Sequence, residues 1–318
     1  MTRLPHLHVV IVNWNSGSQL RRCLESFVSV RQDGFVLNRV VVVDNASKDH
    51  SAEGLEGISI PFTVIRNDKN HGFAAACNQG SAESAADYLL FLNPDTRLMT
   101  DSLGGPIRFM EDPAHAHVGI CGIQLISDSG GISPSCTRFP TPGRLIAMVF
   151  GLQHLFPKRF PRLQMVNWDY RETRAVDQVM GAFFLIRDSL FRQLSGFDER
   201  FFVYWEEVDL SFRAKQVGAL SYFLAGHAAY HRGQGTIKGV FPIAFFYLLR
   251  SRTLYCFKHF GWSWGLVLLL LTLFVEPLSR SIETAVRASK KDALEVLRAY
   301  SYLWRSLPRL TDAKEFHP

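Results

Sequence analysis

The chain reads as an α/β protein: a mostly parallel central sheet flanked by helices, followed by a C-terminal helical, partly apolar extension. Three observations predict this. Leu7–Asn13, Arg39–Asp44 and Tyr88–Asn93 are short, continuous apolar runs, the pattern of strands buried on both faces. Segments of helical periodicity lie between them. A long apolar stretch and an amphipathic pattern close the chain.

In chain order, Ser18–Val30 places Leu20, Leu24, Phe27 and Val28 at helical spacing behind the first strand. A short strand, Phe62–Arg66, follows the second. The Ala-rich segment Ala74–Ala86 is a good helix former. Strand–helix alternation of this kind builds a sheet with right-handed crossovers, and ligands bind at the carboxyl ends of its strands. Residues 127–144, rich in Ser, Gly and Pro, read as a loop, and 145–175 show no clear period. Regularity returns over Val176–Leu194. Phe260–Val275 is a long apolar stretch with few polar residues, and Ser281–Leu307 has the spacing of an amphipathic helix through Ile282, Val286, Leu294, Leu297, Tyr300 and Trp304.

The chain has 318 residues, 47% hydrophobic and 20% charged, with a formal charge of +6. That excludes a disordered chain. The charge is uneven: residues 250–318 hold 11 Lys and Arg against 6 Asp and Glu. A basic tail beside apolar sequence suits an anionic membrane surface. No nucleic-acid motif accompanies it, so nucleic acid is not expected as a partner. Five widely spaced cysteines without a CxxC pair point to a reducing cytoplasm rather than a disulfide framework or zinc site. No signal peptide is read at the N-terminus.

The chemistry gathers at the ends of the strands. The first ends in Asn13, with Asn15 just beyond. The second ends in Asp44-Asn45-Ala46-Ser47. A carboxylate there can accept hydrogen bonds from a base or ribose, although Asp, Asn and Ser also make ordinary turns and caps. In the loop Asn67–Gly80, Gly72 permits close backbone approach to a ligand, and Asn78 lies on the helix that follows, whose amides suit a phosphate. This is neither a GxGxxG nor a Walker pattern. The third strand ends in Asn93-Pro94-Asp95. One carboxylate together with a diphosphate meets the needs of a hard divalent cation. Farther on, Trp205-Glu206-Glu207-Val208-Asp209 sets acidic residues among aromatic ones. Burial beside apolar rings and a second carboxylate raises a carboxyl pKa, as a general base requires; an acidic helix start is the alternative. His231 could ligate a metal or fill a polar niche.

In order, VVIVNWN, VVVVDNASKD, NHGFAAACNQG, FLNPDT, the long stretch from Val179 to Gly218 and HRGQGT resemble family 2 glycosyltransferases of the GT-A fold, in the rhamnosyltransferase-like bacterial branch. The resemblance covers about Leu7 to Gly235. It implies a catalytic domain over 1–240, with a nucleotide-sugar half to about 125 and an acceptor half from about 126 to 240, and an extension over 241–318. It implies that Asp44 contacts the nucleotide, that Asn13, Asn15, Asn45, Gly72, Asn78 and Asn93 lie around the nucleotide-sugar, and that Asp95 holds Mg²⁺ or Mn²⁺ with His231 nearby. Gly181, Ala182, Trp205 and Asp209 fall on the acceptor side.

The family usually has Glu-Asp before Val-Asp-Leu; here the pair is Glu206-Glu207. Glu207 takes the position of the base, with Glu206 as the competing assignment. The implied reaction is inverting transfer of a sugar, rhamnose by the branch it resembles, from a nucleotide-diphosphate sugar to a hydroxyl of a glycan or lipid-linked acceptor. The setting implied is cell-surface polysaccharide or lipid-linked glycan synthesis. Two other readings compete. A sugar-phosphate nucleotidyltransferase would show a Gly-rich basic loop that Asn15–Arg22 does not resemble. A non-catalytic binding protein on the same fold has only Glu207 in its favour.

Phe260–Val275 is shorter than the ~20 residues of a spanning helix. It reads first as a surface or re-entrant membrane segment at the cytoplasmic face of the inner membrane. A buried core or dimer helix, and last a true span, are the alternatives.

Overall fold

A computed structural model describes residues 3–233, 241–280 and 290–309. The strands are β1 (His6–Asn13), β2 (Val36–Asp44), β3 (Phe62–Arg66), β4 (Tyr88–Leu92), β5 (Thr96–Leu98), β6 (Val118–Ile126), β7 (Ile132–Ser133), β8 (Cys136–Thr137), β9 (Arg174–Val176), β10 (Gln178–Val179), β11 (Phe183–Arg187) and β12 (Leu220–His231). The helices are α1 (Gln19–Ser26), α2 (Phe73–Ser81), α3 (Gly104–Glu111), α4 (Pro142–Val149), α5 (Leu152–Leu155), α6 (Asp188–Gln193), α7 (Glu206–Gln216), α8 (Phe241–Phe274) and α9 (Lys290–Ser306).

The main sheet runs β3-β2-β1-β4-β11-β6-β12-β5. Strands β3, β2, β1 and β4 are parallel, and β12 is parallel to β6. Strand β11 enters antiparallel between β4 and β6, and β5 is antiparallel to β12. The sheet is therefore mixed around a parallel core.

The apolar runs have the two-faced burial their sequences demand. Leu7, Val9 and Ile11 of β1 join Val40 and Val42 of β2 and Leu90 of β4 on one face, where α1 and α3 cover them through Leu20, Leu24 and Ile107. Val10, Val41, Val43 and Phe91 face the other way, under Ala74 and Cys77 of α2 and Leu210 of α7. The small residues of α2 have a packing reason: a Cβ on Gly80 would stand 2.5 Å from a Val10 methyl. Close helix–sheet approach excludes larger side chains there.

Several expectations need correction. The Ala-rich helix stops at Ser81, not Ala86. The first helix ends at Ser26 and passes into a single 3₁₀ turn, which leaves Val28 exposed. The 127–144 loop contains β7, β8 and the start of α4, which Thr141 caps by accepting from the Arg144 amide. Strands β6 and β12 lie in stretches to which the sequence reading assigned no element.

The chain forms two compact units: residues 1–138, 164–198 and 207–236 in the first, and 139–163, 199–206 and 237–318 in the second. The second unit thus draws in two segments that the sequence reading left in the acceptor half. Their apolar residues find partners there: Leu145 and Val149 of α4 cluster with Cys256 and Leu268, and Phe202 stacks on Tyr247 at 4.4 Å.

Within the second unit, α8 is two helices joined at Gly261, whose φ of 84° is not helical. The halves fold back on each other. Arg252 donates to Thr272 Oγ1 at 2.7 Å and to Glu276, and a Cβ on Gly265 would meet the Phe257 ring at 2.2 Å. The first half is a core helix, burying Phe246, Leu249 and Tyr255. The amphipathic segment appears as α9; Ile282 and Val286 lie outside the described residues.

Candidate active site

The site is built at the carboxyl ends of β1, β2 and β4. Strands β1 and β2 run in register, so Asn13 stands opposite Asp44. Asn13 is fully buried, and its Nδ2 donates to Asp44 Oδ1 at 2.8 Å, to Ser47 Oγ at 3.0 Å and to Ser51 Oγ at 2.9 Å. Ser47 Oγ also donates to Asp44 Oδ1, at 2.5 Å, and accepts from the Asn15 amide at 3.0 Å. Both bonds to Asp44 fall on Oδ1. Asn13 therefore braces the carboxylate.

Sequence reasoning gave Ser47 only a turn or cap role and passed over Ser51. The available signal was the Asp-x-x-Ser spacing from Asp44, a turn in which the hydroxyl returns to the carboxylate. The loop is tight: Asn15 and Ala46 have φ of 50° and 60°. Asn tolerates that region far better than Ala does.

Asn45 links this turn to the next loop. Its Nδ2 donates to the Gly72 carbonyl at 3.0 Å, and its Oδ1 accepts from Asn67 at 2.9 Å. Gly72 precedes α2 with φ 86° and ψ 169°, a conformation essentially confined to glycine. No side chain caps α2, so its first amides remain available to an acceptor. Asn78 has a different place. Its carboxamide donates to the Phe197 carbonyl and accepts from the Phe197 amide, both at 2.9 Å, and so ties α2 to the segment before the acidic helix.

The turn after β4 carries the second half of the site. The Asn93 amide donates to the Ala182 carbonyl at 3.2 Å, and Thr96 Oγ1 donates to the same oxygen at 3.2 Å. Between them, Asp95 lies beside the end of β12. The Arg232 amide donates to the Asp95 carbonyl at 3.2 Å, and His231 Nε2 stands 3.3 Å from Asp95 Oδ1. The pairing of β12 with β5, His231 opposite Thr96, fixes that approach. Cys23 lies beneath, buried, with its thiol pushed well above the usual range by burial and by Asp95. The rest of the HRGQGT motif from Gln234 onward lies outside the described residues.

Gly181 and Ala182 enter β11 directly beside this turn. A Cβ on Gly181 would stand 3.9 Å from Glu207 Oε1 and 3.9 Å from the Phe73 ring. The predicted base, the small-residue turn and the first residue of α2 therefore border one space. Glu206 is buried and belongs to the second unit. The two residues before it are unusual: Tyr204 and Trp205 have φ of 66° and 73°, a costly region for bulky side chains. Trp205 packs on Tyr255 at 5.3 Å between ring centroids. Asp209 is fully buried and is held by Arg213 at 2.8 Å, while the same guanidinium donates to the carbonyls of Leu194 and Gly196. Asp209 thus ties α7, through Arg213, to the turn at Gly196.

A carboxylate oxygen and an imidazole nitrogen 3.3 Å apart make a two-donor set. Among the described residues no group of three or more His, Cys, Asp and Glu joins to hold an ion. Two donors suit Mg²⁺ or Mn²⁺ when the ion keeps most of its coordination for phosphate oxygens and water.

A profile of Glycosyl transferase family 2 matches residues 8–194, more than half of the chain. The chain belongs to this family. Among its relatives, the rhamnosyltransferase WbbL of Escherichia coli K12 is 29% identical over 168 residues, 52% of this chain and 60% of WbbL. The N-acetylglucosaminyl-diphospho-decaprenol L-rhamnosyltransferase of Mycobacterium tuberculosis is 26% identical over 250 residues, 72% of this chain and 77% of that protein. The mannosyltransferase PcManGT from Pyrobaculum calidifontis, solved with GDP-Man and Mn²⁺, superposes with a TM-score of 0.55 at 14% identity, covering 98% of this chain and 85% of its own. TarS 1-349 of S. aureus with UDP-GlcNAc gives 0.54 at 16% identity, covering 96% and 83%. At these identities the structures establish a shared fold. This family 2 glycosyltransferase has the GT-A architecture that its motifs imply.

Proposed function

We propose that the protein is a metal-dependent, inverting glycosyltransferase that moves a sugar, rhamnose by its relatives, from a nucleotide-diphosphate donor to a hydroxyl of a lipid-linked or glycan acceptor. It works at the cytoplasmic face of a membrane in cell-surface glycan synthesis. One observation carries the reading. The Ala182 carbonyl is bonded by Asn93 and Thr96 on either side of Asp95, and the adjoining Gly181 borders Glu207. A candidate ion-binding pair and a candidate base are thus built on one backbone corner.

In this reading Asp44 offers Oδ2, the oxygen not used by Asn13 and Ser47, to the base or ribose of the nucleotide. The loop at Gly72 and the uncapped start of α2 accommodate the diphosphate. Asp95 and His231 would hold the Mg²⁺ or Mn²⁺, which when bound supplies positive charge against the diphosphate. Glu207 takes the proton of the acceptor hydroxyl as its oxygen attacks the anomeric carbon from the face opposite the diphosphate. The bond to the diphosphate breaks, the nucleoside diphosphate leaves, and the configuration inverts. The extra methylene of Glu over the usual Asp moves the carboxylate by roughly a bond length, a displacement the acceptor must match.

Both M. tuberculosis and E. coli relatives are named as rhamnosyltransferases, and the former is named for a diphospho-decaprenol acceptor. These names support rhamnose and a lipid-linked acceptor for this chain. The test is a thermal-shift screen of the full chain with nucleotide-diphosphate sugars and Mn²⁺, followed by transfer assays with the donors that bind. Stabilisation by a donor that needs Mn²⁺, and turnover with it, supports the reading. Metal-dependent binding without any turnover would instead make the chain a binding protein on this fold.

A further inference from the structure

We infer that the second unit docks in the plane of an anionic bilayer, inserting one apolar helical face into the headgroup–acyl boundary without crossing the membrane. The inference deepens the reading of a lipid-linked acceptor and rests on it. By length and composition, α8 could cross a bilayer, and only 22% of its most apolar window is buried. The break at Gly261 decides against a span. The half before it buries Arg250 and Arg252 inside the unit. The half after it keeps Leu268, Thr272 and Leu273 buried and sets the buried Glu276 on Arg252, so one side of it is packed inside the unit.

That second half is not a core helix either. Trp262, Leu266, Leu270, Phe274 and, in the next turn, Leu278 recur every four residues, and all are exposed, Trp262 by 77% and Leu278 by 66%. No charged residue lies between Gly261 and Val275. A contiguous exposed apolar stripe of this length marks an interaction site. The stripe continues onto α9, where the Trp304 ring meets Phe274 edge-on at 5.5 Å. Beside Trp304, the exposed face of α9 carries Arg298 and Arg305.

These features identify the occupant. Indole rings at the margins of an apolar stripe favour the lipid–water boundary. Arginines beside it meet lipid phosphates while their stems stay on the apolar surface. A second copy of the chain would place Arg298 and Arg305 near their own counterparts or near other basic surface of a tail that is itself net positive.

The experiment is flotation of the purified full chain with phosphatidylglycerol-containing and phosphatidylcholine vesicles, with quenching of Trp emission by brominated lipid. Wild type is expected to float with the anionic vesicles and to be quenched. Trp262→Phe should lose part of the quenching while still floating. Leu270→Glu with Phe274→Glu should weaken vesicle partition by at least about tenfold, with an unchanged circular dichroism spectrum and Tm. Wild type that stays soluble at low salt, or a double variant that floats as well as wild type, overturns the inference. So does a solution dimer that the double variant dissociates while wild type ignores vesicles. Sugar transfer to a water-soluble acceptor separates the two readings. Transfer without vesicle binding removes the docking face alone, and vesicle binding without transfer to any acceptor removes the enzyme reading alone.

Discussion

His231 Nε2 lies 3.3 Å from Asp95 Oδ1, although 135 residues separate them, because β12 runs antiparallel to β5 and sets His231 opposite Thr96. The pair gives a cation two donors of different kind and leaves the rest of its coordination to ligand oxygens. Chelation with EDTA should abolish transfer, and Mn²⁺ or Mg²⁺ should restore it. His231→Ala should raise the Mn²⁺ concentration for half-maximal activity by at least about tenfold, and Asp95→Asn should abolish transfer with the fold retained. Metal titrations of initial rate check all three. Undiminished activity in EDTA would remove the ion from the mechanism.

Glu207→Gln keeps the shape of the side chain and removes its basicity. It should lower kcat by about 10²–10⁴ with little change in donor affinity or Tm. Glu206→Gln separates the two candidates: a larger loss of kcat there than at Glu207 would transfer the role. Glu207→Asp, the residue more usual at this position, should keep part of the activity.

Gly72 holds φ 86° and ψ 169° where the chain enters α2, and its carbonyl receives Asn45. Gly72→Ala should destabilise the fold by about 1–3 kcal/mol. It should weaken nucleoside diphosphate binding more than it changes the KM for the acceptor. Urea unfolding and calorimetric titration read the two effects separately.

His8 is buried in β1 and donates from Nε2 to the Gly80 carbonyl at 3.0 Å. Burial holds its pKa below the ordinary 6.5, with the Gly80 bond pulling upward against it. The unfolded chain therefore takes a proton at a higher pH than the folded one. The stability tied to neutral His8 is fully present above the unfolded value and is lost as pH falls from there toward the lowered folded value. Urea midpoints at pH 7.5 and 5.5 should fall more for wild type than for His8→Gln. An equal or larger fall in the variant would contradict this.

The parallel core was legible because Leu7–Asn13, Arg39–Asp44 and Tyr88–Asn93 must hide both faces, and few other structures allow that. Asp95 and His231 were legible only through the order of motifs, since neither has a local pattern that outweighs an ordinary turn or core role. Strand β6 contains Gly119 and Gly122, residues that weaken a strand pattern. In the structure they make room: a Cβ on Gly119 would stand 2.4 Å from Leu190, and one on Gly122 would stand 2.7 Å from Val179. Asn78 and Asp209 entered as site residues through the resemblance to the family, with no local pattern of their own. Their partners, Phe197 and Arg213, are set by packing of α2 and by the turn at Gly196. The left-handed Tyr204 and Trp205 leave no trace in composition or period.

The central claim is most directly tested by one assay. The purified full chain, with Mn²⁺, is given nucleotide-diphosphate rhamnose and a lipid-diphosphate N-acetylglucosamine acceptor, and both released nucleoside diphosphate and the anomeric configuration of the product are read. Stoichiometric release with an inverted product, lost in Glu207→Gln, is the predicted result. A retained configuration, or equal turnover by Glu207→Gln, would contradict the account.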